Sequence, residues 1–257
     1  MKKLLFSLLL ISHVTVNGLI NSPAMLNLYK QKFDTIEGWF FIPFIDILTK
    51  LDEYQNQKKV VGNLAEIGVF HGKSFILLYL LSNPHEKVLA VDCFDQQQFN
   101  YDNSGPGCKF DSFIKNVKTF CDPNISKLEV LKVDSSKMTP KHYLDACKNG
   151  LPFRIFSIDG CHQAKETEID IINATGSLAK GGIIIIDDYF NYSWAGVSNG
   201  TAKFLLSHPE IKPFFIGYNK VLLTQREFAD EYRNEIKRHF KHLRETLFFD
   251  STVAIYE

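Results

Sequence analysis

Short apolar runs alternate along the chain with longer segments of mixed polarity. The runs at Val88–Asp92, Phe153–Ile158 and residues 183–186 have the length of strands and lack the alternation expected of a strand with one wet face. Strands of a parallel sheet, buried on both faces, have this composition. Residues 164–178 suit a crossover helix between the last two runs, ended by Gly181 and Gly182. The pattern predicts an α/β fold with a mostly parallel sheet.

Further elements are predicted toward both ends. Apolar residues recur at helical spacing within residues 40–51, which predicts a helix that packs over the sheet. Residues 213–218 and 220–224 read as a hairpin that turns at Asn219, and residues 228–248 as an amphipathic helix.

The segment EIGVFHGKS, residues 66–74, is typical of a strand, a glycine turn and the start of a helix. Gly68 and Gly72 permit a tight turn and let a ligand approach bare amides at the amino end of the next helix. Because Glu66 closes the strand, the predicted ligand offers a cationic group rather than only a pyrophosphate. S-adenosylmethionine, with its amino group and sulfonium, has that chemistry; Ser74 completes the predicted loop.

Two further strand ends carry polar residues suited to a nucleoside. Asp92 follows the glycine turn by about twenty residues, where an acid can accept hydrogen bonds from ribose hydroxyls. The alternative is a loop acid that begins a turn with Asp95. The strand predicted at residues 128–134 ends in Asp134, and Ser135 follows it. Both residues are candidates for adenine recognition.

The order and spacing of residues 66–74, Asp92, SIDGCH at 157–162 and GGIIIIDDY at 181–189 resemble a class I S-adenosylmethionine-dependent methyltransferase. Within that superfamily the chain is similar to the macrocin-type O-methyltransferase branch, from about residue 37 to the C-terminus. The resemblance implies a Rossmann-like class I methyltransferase fold, with a mostly parallel seven-stranded sheet, an antiparallel end hairpin and helices on both faces. It also implies S-adenosyl-L-methionine as the cofactor and, often, a divalent metal.

Carboxylates at two strand ends are the candidate metal ligands. Asp159, Asp187 and Asp188 should meet at one sheet edge, where their mutual repulsion favours a hard cation such as Mg²⁺. The resemblance assigns the matching acids to metal binding, and the alternative is that Asp187 and Asp188 only cap the strand. His162, near Asp159, is a candidate proton acceptor or, equally, a hydrogen-bond partner at a helix start. In the following aromatic loop, Tyr192 and Trp194 are candidates to shape an acceptor pocket, and the alternative is surface or dimer packing.

The N-terminus has the features of a secretory signal. Two lysines precede an apolar stretch at residues 4–11 that is too short to span a bilayer comfortably. We therefore predict a signal peptide at residues 1–18, a helical cap at 19–58, a methyltransferase domain at 59–257 and a secreted or secretory-pathway protein without a membrane span after cleavage. The alternative is a buried or membrane-associated helix in a cytoplasmic or membrane-associated protein. Among five cysteines, Cys108 and Cys121 are the first disulfide pair to consider.

Charge and length narrow the function. The 257 residues can bury one full core, and 29 basic against 29 acidic residues offer no field that attracts nucleic acid. The sequence predicts O-methylation of a small-molecule or sugar hydroxyl, with a homodimer as a candidate assembly. A secreted nucleotide-binding module without turnover and a hydroxylase-like enzyme on the same scaffold are the alternatives.

Overall fold

Nine strands form one mixed sheet in the part of the chain that the structure, a computed structural model, describes: residues 23–105, 107 and 109–256. The strands are β1 Asn63–Ile67, β2 Val88–Asp92, β3 Leu128–Lys132, β4 Phe153–Ile158, β5 Leu178–Ile186, β6 Ile211–Gly217, β7 Lys220–Gln225, β8 Arg244–Phe248 and β9 Ser251–Ile255. The helices are α1 Pro23–Lys32, α2 Phe44–Gln57, α3 Phe75–Leu81, α4 Phe110–Phe120, α5 Pro140–Cys147, α6 Ala164–Gly176, α7 Ala195–Ser207 and α8 Arg226–His239.

The strand order is β3-β2-β1-β4-β5-β7-β6-β9-β8. The first five strands of this order are parallel, and β7 joins β5 in antiparallel pairing. The first strand along the chain, β1, lies inside the sheet. The next two strands are added outward from it to β3, and the chain then returns to β4 on the other side of β1. This reversal between β1 and β4 creates a crevice at their carboxyl ends, the usual ligand site of such sheets.

The register brings the ends of these strands level. Ile67 of β1 lies opposite Val91 of β2 and Ile158 of β4, and Ile158 lies opposite Ile186 of β5. The polar residues that follow each of these positions therefore lie side by side along one edge of the sheet.

Helices cover both faces of the sheet, which explains the continuous apolar runs. All residues of β1 and β4 are buried. One core contains Phe44, Leu51 and Phe75, and the other contains Phe156 and Phe204. Burial of these large side chains is the main favourable contribution to folding.

The α/β class and the predicted sheet are confirmed, with two more strands than expected. The hairpin at Asn219 is also confirmed: Tyr218 and Asn219 both have positive φ, as a two-residue hairpin turn requires. The helix predicted for residues 228–248 is wrong beyond His239, because residues 244–248 form β8 and pair with β9. Gly181 and Gly182 do not end α6, which stops at Gly176; they lie in β5 at an irregularity in its pairing with β4.

Several predictions concern residues that the structure does not describe. The signal peptide predicted at residues 1–18 lies outside the described residues, and so does Cys108 of the predicted Cys108–Cys121 pair. Both therefore stay predictions. Within the described ranges, no helix has the length and apolar character needed to cross a membrane.

Candidate active site

A cavity of about 660 Å³ opens at the carboxyl ends of the parallel strands. Its walls come from the glycine turn after β1, from the loops after β2 to β5, from residues 38–41 and from the β6–β7 turn. Nine residues predicted from sequence line it: Gly68, Ser74, Asp92, Asp134, Ser135, Asp159, His162, Asp187 and Asp188.

The glycine turn is shaped by close backbone packing. Gly68 has a φ of +80°, and a Cβ added there would lie 1.8 Å from the carbonyl oxygen of Asp159. The amides of Val69 and Phe70 donate to Asp92 Oδ2 at 2.9 and 3.0 Å. The prediction of bare amides is therefore wrong for these two groups, because the carboxylate of Asp92 already accepts from them.

Asp92 lines the cavity and already has several hydrogen-bond donors. Its Oδ1 accepts from the amide of Phe94 at 2.6 Å, so the carboxylate accepts three backbone hydrogen bonds in all. The Cys93 thiol also hydrogen-bonds to this carboxylate, so a ribose hydroxyl would compete with the thiol for the fourth of its about four acceptor positions. Burial raises the pKa of Asp92, and the three amides oppose that shift.

Glu66 and Gly72 do not line this cavity, which corrects their predicted contact with the cofactor. The Glu66 side chain is 1% exposed and lies beneath the site. Burial raises its pKa to about 8, an effect that Ser74 and Ser157 only partly offset. Burial therefore favours the protonated form of Glu66 near neutral pH when no cationic ligand is bound. A Cβ added at Gly72 would meet Phe113 at 3.1 Å, so this glycine faces α4.

The predicted adenine end is held by a loop that follows β2. Tyr101 donates its hydroxyl to Asp134 Oδ2 at 2.7 Å, and Ser136 donates both its amide and its hydroxyl to Asp134 Oδ1. Partial burial acts to raise the pKa of Asp134, but these hydrogen bonds outweigh it and lower the pKa. Ser135 donates its hydroxyl to the buried Asp170 at 3.1 Å.

The acidic cluster differs from the predicted set. Atoms of Asp159, His162 and Asp188 lie within 4.8 Å of one another, an arrangement able to hold a metal ion. Asp187 instead forms an ion pair with the buried Lys220. The candidate cluster thus contains Asp159 and Asp188 of the predicted ligand set together with His162, whereas Lys220 balances the charge of Asp187; metal binding itself stays a prediction.

His162 lies between two carboxylates. Its Nδ1 is 2.7 Å from Asp102 Oδ2 and its Nε2 is 3.2 Å from Asp188 Oδ2. Burial lowers the pKa of His162, but the two acids outweigh this effect and raise it to about 9. Burial and the neighbouring Asp187 and Asp188 raise the pKa of Asp159 well above its ordinary value.

Sequence reasoning missed Asp102 and Lys220. Asp102 is 60 residues from His162, in a loop without a motif, and nothing local to it signals the contact. Lys220 was assigned only to a strand, although its position directly after the Tyr218–Asn219 turn does place it next to the end of β5.

The strand order and the polar strand ends define a class I S-adenosylmethionine-dependent methyltransferase fold. Residues 65–189 match the family model described as "Methyltransferase domain", and this match, together with the fold, supports a methyltransferase of this class. No curated protein sequence shows significant similarity to it.

Solved structures share the fold at low sequence identity. The O-methyltransferase NovP is 15% identical, with a TM-score of 0.58 over 72% of this chain and 80% of NovP. CalS11, a TDP-rhamnose 3'-O-methyltransferase of calicheamicin biosynthesis, is 16% identical, with a TM-score of 0.51 over 79% of this chain and 87% of CalS11. Cofactor-bound Rv0187 from MTB is also 16% identical, with a TM-score of 0.52 over 82% of this chain and 92% of Rv0187. These likenesses support the fold.

Proposed function

We propose that this methyltransferase acts on a hydroxyl group of a small molecule or sugar, with a divalent metal ion in the site. The observation that carries the proposal is the cluster of Asp159, His162 and Asp188 in the same cavity as the glycine turn and Asp92. NovP and CalS11, which share the fold, are O-methyltransferases.

The described residues fit S-adenosylmethionine. Asp92 lines the cavity and can exchange its contact with the Cys93 thiol for one with a ribose hydroxyl, and Asp134 and Ser135 present polar groups for adenine. When bound, the cofactor supplies a methyl group activated by the sulfonium. The protein must then align the acceptor oxygen and remove its proton.

The donor set also fits a divalent cation. Asp159 and Asp188 offer oxygen ligands, and the raised pKa of Asp159 reflects burial together with repulsion among neighbouring acids that a cation would relieve. We propose Mg²⁺ as the ion, and Mn²⁺ is the next to test because His162 offers an imidazole nitrogen. A divalent cation held here would lower the pKa of a nearby hydroxyl.

In protein without a bound metal ion, His162 is the candidate proton acceptor, because an imidazole nitrogen that coordinates the ion cannot take a proton. Asp102 accepts from its backbone amide and contacts Nδ1, which fixes the ring with Nε2 toward Asp188. Because the pKa of His162 is raised to about 9, the ring must lose a proton before it can accept one. If His162 takes the hydroxyl proton, turnover rises with pH until about pH 9.

Substitution of Asp159 tests the proposal. We expect Asp159→Asn to keep its affinity for S-adenosylmethionine, because the ribose and adenine groups are unchanged, and to lose Mg²⁺-dependent methyl transfer by about 100-fold or more. Calorimetry with the cofactor and mass spectrometry of a library of hydroxylated acceptors, each with and without Mg²⁺, measure the two effects.

The control is Asp145→Asn, an exposed acid of α5 that pairs with Lys141 outside the cavity. It should leave both measurements unchanged. Absence of cofactor binding by the unmodified protein would contradict the proposed function. Unchanged Mg²⁺-dependent turnover in Asp159→Asn would assign Asp159 a structural role, and cofactor binding without transfer to any acceptor would favour a binding module.

A further inference from the structure

We propose that the acceptor carries a flat apolar ring system and no phosphate group. This inference rests on the proposed function and adds the chemical class of its substrate. It depends on the aromatic walls of the cavity and on the pairing of its basic residues.

One aromatic wall is the strap, residues 36–43, which connects the turn after α1 to α2. Trp39 is 75% exposed and its ring stacks on Phe70 of the glycine turn, with centroids 5.7 Å apart. Phe41 is 53% exposed and lies 6.2 Å from the ring of Tyr218, beside the β6–β7 turn. Both strap residues line the cavity, so the strap presents aromatic surface from the cofactor end to the acidic end.

A second aromatic surface lies at the acidic cluster itself. Trp194 stacks on the imidazole of His162, with centroids 4.4 Å apart and planes inclined by 19°. The indole also lines the cavity. A flat ring that contacts this surface would hold its hydroxyl group beside Asp159 and Asp188, which belong to the same cluster. Stacked and edge-to-face contacts of this kind favour aromatic ligands beyond the area that they bury.

The cavity offers little to a phosphate. Among the described residues that line it there is no arginine, the side chain best suited to bidentate phosphate binding. Its two lysines are engaged elsewhere. Lys220 is buried against Asp187, and Lys73 donates to the carbonyl of Gly38 at 3.2 Å and lies over the ring of Phe33.

Other donors that could bind a phosphate are also occupied. The Val69 and Phe70 amides of the glycine turn donate to Asp92, and His162 lies between Asp102 and Asp188. A phosphate group that lies away from the proposed metal ion would therefore lose its hydration and meet mainly carboxylates. The inferred acceptor thus differs from the TDP-sugar in the description of CalS11.

Matched probes test the inference. Calorimetry is performed on the full chain saturated with S-adenosylhomocysteine, in Mg²⁺ buffer, with 2-naphthol, 2-naphthyl phosphate, 2-naphthyl glucoside and TDP-glucose. We expect 2-naphthol and its glucoside to bind at least about tenfold more tightly than the two phosphate-bearing probes. Phe41→Ala should weaken 2-naphthol binding about tenfold and leave S-adenosylhomocysteine binding unchanged. Leu206→Ala, an exposed apolar residue of α7 outside the cavity, is the matched control and should change neither affinity.

The outcomes separate the two proposals. Equal or tighter binding of 2-naphthyl phosphate or TDP-glucose overturns the inferred substrate class and leaves the methyltransferase proposal intact. The same holds if 2-naphthol fails to bind, or if Phe41→Ala binds it as the unmodified protein does. Failure to bind S-adenosylhomocysteine at all contradicts the proposed function and, with it, this inference.

Discussion

The pKa values of individual acidic residues are shifted in opposite directions, depending on where each residue lies in the fold. Burial beneath the cavity favours the protonated form of Glu66 and raises its pKa to about 8. Asp102 is also partly buried, yet the hydrogen bonds that it accepts from His162 and Ser104 hold its pKa below the ordinary value. Residue type alone does not assign charge at this site; burial and partners do.

Replacement of Glu66 should reveal its titration. Because the folded pKa lies above the unfolded value of 4.5, folding favours the protonated form, and stability is lost as pH rises from about 4.5 to about 8. Glu66→Gln cannot ionise and should not lose this stability. We therefore expect the free energy of unfolding of the variant, relative to that of the unmodified protein, to be higher at pH 8 than at pH 5 by about 1 kcal/mol or more. Urea unfolding at both pH values measures the difference. Glu53→Gln, at an exposed position of α2, should show no such pH-dependent gain; equal behaviour of the two variants would contradict the buried, protonated state.

At the scale of elements, the glycine turn joins β1 to α3 and packs against the loop after β4. The turn can come this close because Gly68 has no side chain at a position where a Cβ would meet the Asp159 carbonyl. The same contact sets the position of Asp159 relative to Asp92. The geometry of the site thus depends on the packing between the glycine turn and the loop after β4, and not on the glycine motif alone.

Gly68→Ala should therefore cost much more than the usual conformational penalty. Gly150 also has a positive φ, +70°, but a Cβ there would meet nothing within 4 Å. We expect Gly150→Ala to lower the free energy of unfolding by about 1–2 kcal/mol, the cost of the left-handed conformation alone. Gly68→Ala should lose more than that, because of the added clash, and its loss should be at least twice as large in urea unfolding. Equal losses in the two variants would show that the turn relaxes without cost.

Sequence patterns predicted most accurately the strands that are buried on both faces. The bounds of β2 and β4 agree with the predicted strands because both are buried on each face and need apolar residues throughout. In contrast, β8 is mostly exposed at the edge of the sheet, so its residues carry no periodic signal and were assigned to a helix.

The candidate site was predictable where a residue ends a strand or follows its end closely. Asp92, Asp159 and Asp188 were found in this way, since parallel strands end at one edge. The direction of the Glu66 side chain and the contact of Asp102 with His162 depend on packing between distant segments, which local patterns do not encode.

Across the whole molecule, a buried charged network lies at the sheet edge opposite the cavity. Arg154, near the start of β4, is fully buried and donates to Glu86 and to Asp52 at 2.7 Å each. It also donates to Gln55 of α2 at 2.9 Å. The network joins α2, the loop before β2 and the centre of the sheet, so it connects α2 to the sheet.

Removal of the guanidinium should destabilise the whole protein. Arg154→Met leaves two carboxylates buried without their partner, and we expect the free energy of unfolding to fall by about 3–5 kcal/mol. Lys141→Met removes the exposed partner of Asp145 and should change the free energy of unfolding by less than about 1 kcal/mol. Chemical denaturation of both variants measures the contrast. Similar small losses would indicate that water replaces the arginine within the network.

Both tryptophans of the chain, Trp39 and Trp194, lie in the wall of the cavity. One indole stacks beside the glycine turn and the other on the imidazole of the acidic cluster. Indole fluorescence depends on the polarity and the quenching groups around the ring. The unlabelled protein therefore has an intrinsic optical signal confined to the two ends of its cavity, and replacing either tryptophan by phenylalanine would assign the signal to one end.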